Sequence, residues 1–142
     1  MKTKFNFKKP FWLLVMTVLF LTATSKLVAQ DKTPVLKDFK LIVEKTNNGI
    51  KMKSKKGSAW IDLSFSLKNY QQQAVDQYGM TDLKNISKNK DEKFADFLFI
   101  ITKTENEIEL KGVKGTAWTE LKFSLPNNKQ QAIDQFGMTS LN

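Results

Sequence analysis

Hydrophobic and polar residues alternate along two stretches of this chain in the same order, 58 positions apart. Phe39, Leu41 and Val43 occupy every second position, and Phe97, Phe99 and Ile101 repeat them, the period of a strand with a buried face. The second copy also sets Leu98 and Ile100 on the opposite face, so this strand is expected at the centre of a sheet. Ile50 and Met52 then alternate with Lys51 and Lys53, and Ile108 and Leu110 with Glu107 and Glu109. Asn48-Gly49 ahead of that second strand reads as a type I′ hairpin turn, since both residues tolerate positive φ; Asn106-Glu107 is a weaker match. The third alternation is the longest. Ala59, Ile61, Leu63, Phe65 and Leu67 point one way, towards the core, and Trp60, Asp62, Ser64 and Ser66 the other. Ala117, Thr119, Leu121, Phe123 and Leu125 against Trp118, Glu120, Lys122 and Ser124 repeat it.

The period then changes. Ala74, Val75 and Tyr78 fall on one face of a short helix, with Asn69 as N-cap and Gln72 three residues on; Asn127 and Gln130 repeat that capping box. Gly79 and Gly137 stand where a left-handed residue ends a helix, with Met80 and Met138 next, in reach of Val75 and Ile133. So short a helix must dock on the sheet to persist. Residues 38–84 align with 96–142 without a gap, Lys56-Gly57-Ser58-Ala59-Trp60 matching Lys114-Gly115-Thr116-Ala117-Trp118. The expected fold class is therefore α+β: two tandem βββα repeats, an antiparallel sheet with two short helices, related by a pseudo-twofold. Two copies are too few for a solenoid, which leaves one shared core or two docked lobes. Residues 85–95, polar and lysine-rich, read as a solvated linker, and 30–37 as an N-terminal tail.

Residues 1–29 have the layout of a secretory signal peptide. Lys2, Lys4, Lys8 and Lys9 precede a short apolar run from Phe11 to Leu21, and Leu27-Val28-Ala29 offers a cleavage site before Gln30. The run is shorter than the roughly 20 apolar residues that span a bilayer. Cleavage changes the charge balance. The whole chain has 23 basic and 14 acidic residues and no His or Cys, but five of the lysines lie in the signal, and no arginine occurs anywhere. Without arginine, the usual bidentate reader of phosphates and bases, nucleic-acid binding loses its support. Without His and Cys, most zinc sites, thiol nucleophiles and disulfides are excluded.

Few residues are left to carry chemistry. Trp60 and Trp118 each precede an acid by two positions, Asp62 and Glu120. This quartet is a candidate ligand or partner face, with indoles to stack and carboxylates beside them; the competing reading has the helices fold over the indoles. Lys51, Lys53, Lys55 and Lys56 crowd one hairpin, where copy two has Glu105, Glu107 and Glu109. They form a candidate basic edge for anionic glycans or headgroups, or simply protect a sheet edge from aggregation. Asp76 and Asp134 could pair with Asp62 and Glu120 as acid and base, but nothing in their surroundings raises a pKa. No catalytic, metal-binding or cofactor-binding residues are expected.

The block Lys114-Gly115-Thr116-Ala117-Trp118-Thr119-Glu120-Leu121, with Gln131-Ala132-Ile133-Asp134-Gln135-Phe136-Gly137-Met138-Thr139, resembles small exported proteins of Bacteroidetes-type bacteria. Those commonly pair a signal peptide with one copy of this unit. The resemblance covers both repeats and implies export, and, as that group has no assigned activity, no mechanism. In outline only, duplicated strand-rich units with packed helices are also similar to beta-lactamase inhibitor proteins. The expected function is a non-enzymatic module, periplasmic or secreted, that binds an unknown protein or small polar ligand at the cell envelope. It has no nucleic-acid partner, no cofactor and no stable membrane anchor after cleavage. The alternative is a proteinaceous inhibitor or immunity-like partner of an exported enzyme. A carboxylate or lysine enzyme would need a cleft uniting acids from both copies.

Overall fold

The computed structural model describes residues 35–142 apart from positions 87, 89 and 90. The signal segment 1–29 and most of the 30–37 tail lie outside the described residues. The first repeat supplies β1 (Lys40–Lys45), β2 (Gly49–Lys56), β3 (Asp62–Ser66), β4 (Gln72–Asp76) and β5 (Gly79–Thr81). The second supplies β6 (Leu98–Lys103), β7 (Glu107–Lys114), β8 (Glu120–Ser124), β9 (Gln130–Asp134) and β10 (Gly137–Thr139). A 3-10 turn at Leu83–Asn85 follows β5.

The strands form two antiparallel five-stranded sheets, ordered β10-β9-β1-β2-β3 and β5-β4-β6-β7-β8. Each sheet therefore mixes the repeats. The β9–β10 hairpin crosses to lie beside β1, with Leu41 opposite Ile133, and β4–β5 crosses to lie beside β6, with Val75 opposite Phe99. The strands expected to be central are central: β1 and β6 are each third of five. Phe39, Leu41 and Val43 meet Phe97, Phe99 and Ile101 in one hydrophobic cluster, the rings of Phe39 and Phe97 4.6 Å apart. Burying each such side chain contributes about 1.5–3 kcal/mol, and both repeats contribute to the same core.

The α+β expectation is corrected by this arrangement, because the described residues contain no α-helix. The segments expected as helices are the hairpins β4–β5 and β9–β10. A lone helix of nine residues is marginal in water. As a strand the same segment completes the other repeat's sheet and buries Ala74, Val75 and Asp76. The outline likeness to strand-and-helix inhibitors goes with the helices. Asn69 and Asn127 are not N-caps; they lie in turns closed by Gln71 N–H to Lys68 O and Lys129 N–H to Pro126 O, both 3.1 Å. Gly79 and Gly137 end no helix. They follow the two-residue connections Gln77-Tyr78 and Gln135-Phe136, with φ of +125° and +134°. Asp76 and Asp134, considered as catalytic acids, hold these turns instead: their Oδ1 atoms accept from the N–H of Tyr78 and Phe136, each at 2.7 Å.

Two further turns differ from expectation. Asn48-Gly49 forms no type I′ turn, as neither residue has positive φ. The hydroxyl Oγ1 of Thr46 accepts from the Gly49 N–H, and that of Thr104 from the Glu107 N–H, both at 3.0 Å; glutamate can thus replace glycine in copy two. The third strands start only at Asp62 and Glu120. Before them Gly57 and Gly115, at φ +91° and +72°, open a loop in which Ser58 and Thr116 donate to Trp60 O and Trp118 O at 2.7 Å. The loop reverses the alternation. Ile61, expected in the core, is 70% exposed, and the tryptophans turn inward.

Candidate functional site

Trp60 and Trp118 join the two sheets. Trp60 precedes β3 in one sheet and its Nε1–H donates to Asp76 O of β4 in the other, at 3.1 Å. Trp118 precedes β8 and donates to Asp134 O of β9 at 3.0 Å. The N–H groups of Ala59 and Ala117 reinforce these ties by donating to Gln77 O and Gln135 O. Trp118 is 8% exposed and packs on Phe99, while Trp60 is half-buried against the core. Asp62 and Glu120 are exposed, opposite Lys53 and Lys111 in the ladders of different sheets. The structure does not bring the four together.

The lysine-rich strand is not an edge, since β2 lies between β1 and β3. Lys51 and Lys53 stand exposed in the ladder opposite Glu44 and Ile42. Lys55 is the extra residue where the register shifts, between the partners of Lys40 and Leu41. Lys56 donates to Asp38 at 2.8 Å, and that hydrogen bond and charge hold the Asp38 carboxyl below its usual range. The four side chains do not converge on one point.

A different set of residues does converge. The inward positions of β1 continue from Leu41 and Val43 to Lys45, and those of β6 from Phe99 and Ile101 to Lys103. Both lysines are buried, at 2% and 4% exposure. Each reaches across to the other repeat's hairpin. Lys45 Nζ donates to Glu105 O and, at 3.4 Å, Thr104 O; Lys103 Nζ donates to Asn47 O at 2.9 Å and Thr46 O at 3.4 Å. Among the described residues no carboxylate comes within 4.0 Å of either nitrogen. Burial, and then the neighbouring Lys45 charge, push the Lys103 ammonium below the ordinary lysine range.

These ammonium groups line a cavity of about 240 Å³ at the end of the molecule where the β1–β2 and β6–β7 hairpins meet the loops after β3 and β8. Its walls come in pairs 58 residues apart: Lys45 with Lys103, Asn47 with Glu105, and Asn69 with Asn127. Asn127 donates to Asn47 across the mouth. A second, open groove of about 480 Å³ shares Thr104 and Glu105 with this cavity and continues past Tyr70 and Asn106 to Lys122. Lys122 bridges Glu107 at 3.2 Å and Glu109 at 3.0 Å; the pairing with Glu109 and then Glu107 raises its pKa. Sequence reasoning missed the lysine pair, although a legible signal existed: extending the apolar alternation by one step puts an inward lysine in both copies.

No protein-family model, curated protein or solved structure matches this chain, so the cavity is read from its own chemistry. Two cationic donors against the one acid, Glu105, with amide groups from three asparagines and a hydroxyl at Thr104, make a lining suited to an acidic, hydrogen-bonding ligand.

Proposed function

We propose that this protein is an exported, non-enzymatic binding module whose ligand carries a negative charge held between Lys45 and Lys103. The observation that supports this most directly is the burial of two like charges in one cavity whose lining holds one acid, Glu105, with no carboxylate of the described residues within 4.0 Å of either nitrogen. Such an arrangement is costly to folding and gains nothing for packing that two methionines would not supply. An anion in the cavity offsets both the desolvation and the repulsion. Each nitrogen is held in place by donating to backbone carbonyls of the other repeat's hairpin. Export rests on the layout of residues 1–29.

Calorimetric titration and thermal melts with inorganic phosphate, matched in ionic strength with chloride, test the pocket. Phosphate is expected to raise the melting temperature of the wild type but not of a Lys45→Met/Lys103→Met variant. Equal stabilisation of both proteins overturns the reading. Mass spectrometry of cell fractions tests export, with a mature N-terminus at Gln30 expected outside the cytoplasm; an intact Met1 in the membrane pellet overturns it.

A further inference from the structure

Tyr70 occupies the third position of the turn Lys68–Gln71 with φ of +65°. A positive φ at that position calls for glycine or asparagine, and the second repeat has Asn128 there at φ +62°. A tyrosine in this conformation is strained, and its side chain gains little from burial, being 73% exposed. Neither local propensity nor packing accounts for it. Its backbone N–H donates to Lys103 O at 2.7 Å, which ties residue 70 to the end of β6 that carries the cavity lysine, and Tyr70 lines the adjoining groove. Strain retained at a site of converging polar groups points to function.

We propose that the ligand is an acidic saccharide, its charged group between Lys45 and Lys103 and a sugar ring packed on Tyr70. An exposed phenol ring offers an apolar face for the C–H face of a sugar. The groove beyond it is lined by hydroxyl-binding groups, Asn106, Ser124 and the carboxylates of Glu107 and Glu109. A single ammonium, Lys122, bridges those two carboxylates, so with Glu105 the groove stays net negative; it accepts from the hydroxyls of a neutral sugar body and disfavours a second acidic unit, which confines the ligand's charge to the lysine end. The inference rests on the anion-binding reading and adds to it the identity of the rest of the ligand.

The test compares inorganic phosphate and a linear trimer of two neutral sugars and one terminal glucuronate on the wild type and on Tyr70→Asn, which installs the residue of the second repeat. The trimer is expected to bind the wild type at least ten-fold more tightly than phosphate does. Tyr70→Asn is expected to weaken the trimer about ten-fold, leave phosphate within two-fold, and raise the melting temperature as the backbone strain is relieved. If phosphate binds through the lysines while the trimer binds no better, or is indifferent to Tyr70→Asn, the saccharide assignment is overturned and the anion pocket stands. If neither ligand binds, or binding survives Lys45→Met/Lys103→Met, both fall.

Discussion

Replacing Lys45 and Lys103 by methionine, singly and together, measures the strain at the heart of the proposed site. Each single change removes a buried ammonium and the two hydrogen bonds it donates to backbone carbonyls. Hydrogen bonds from a charged donor are worth about 1.5–3 kcal/mol each, and relief of desolvation is of similar size, so these terms nearly cancel. What remains is repulsion. Any two like unit charges about 6–8 Å apart, the scale of one small cavity, repel by about 2–3 kcal/mol at an effective dielectric of about 20. Either single substitution removes all of that repulsion, and the second then has none left to remove. The double variant is therefore expected to be less stable than the sum of the singles by about 2 kcal/mol, a coupling read from a double-mutant cycle in urea unfolding.

The same cycle has a pH dependence with a definite sign. Lys103 has a folded-state pKa below its ordinary 10.5, so the unfolded chain binds its proton more tightly. Stability from this group is present above the unfolded pKa and is lost as pH falls through the folded one. The coupling should thus shrink as pH rises towards 10.5 and Lys103 loses its proton in the native state. A cycle that is additive at neutral pH, or whose coupling is unchanged at alkaline pH, refutes the claim that the two charges strain one cavity.

Two other predictions concern the fold. A β-carbon on Gly57 would lie 2.7 Å from Asp38 O at φ +91°, so Gly57→Ala should cost about 2–4 kcal/mol from strain and overpacking together. At Gly79 the nearest atom is Leu63 Cδ1 at 3.8 Å; Gly79→Ala should cost about 1 kcal/mol, and Gly79→Asn should give no rescue, because φ +125° lies outside the left-handed well near +57°. Urea melts giving equal losses at 57 and 79 would contradict this. A fragment of residues 96–142 should be unfolded as a monomer, since its β9–β10 hairpin has lost β1; sedimentation and circular dichroism showing a folded monomer would refute the exchange of strands.

The duplication, the inward faces of β1, β2, β6 and β7 and the central place of β1 and β6 were legible because period-two alternation follows directly from strand geometry. The hairpins β4–β5 and β9–β10 were not. In Gln72–Asp76 three consecutive residues are buried, which erases alternation and leaves a spacing that a helix fits equally well. Their partner strands lie in the other repeat, and no local pattern reports a pairing between repeats. Trp60 and Trp118 misled for a related reason. The loop opened by Gly57 at positive φ runs up to Asp62, so alternation extrapolated back from Phe65 beyond the start of β3 assigns both Trp60 and Ile61 to the wrong side. Lys45 and Lys103 were overlooked because a lysine ends an apolar pattern by convention, whereas burial continues through it.

Strand exchange and the site have a common origin. Because β1 and β6 take their fourth and fifth strands from the opposite repeat, the loops after β3 and β8 run from one sheet to the other, and they pass over the ends of β1 and β6 where the lysines stand. The cavity thus exists only where both repeats meet, and its lysines are related by the pseudo-twofold. A symmetric pair of single repeats would carry identical residues on both sides of that axis. Joining the copies in one chain frees each side to differ, and around the shared lysines two of the differences are Asn47 against Glu105 and Tyr70 against Asn128. The cation pair is the symmetric part of the site; Tyr70 and the Glu105 wall are the part that gives it direction, which is why a ligand with a charged end and a neutral body fits it better than a small anion alone.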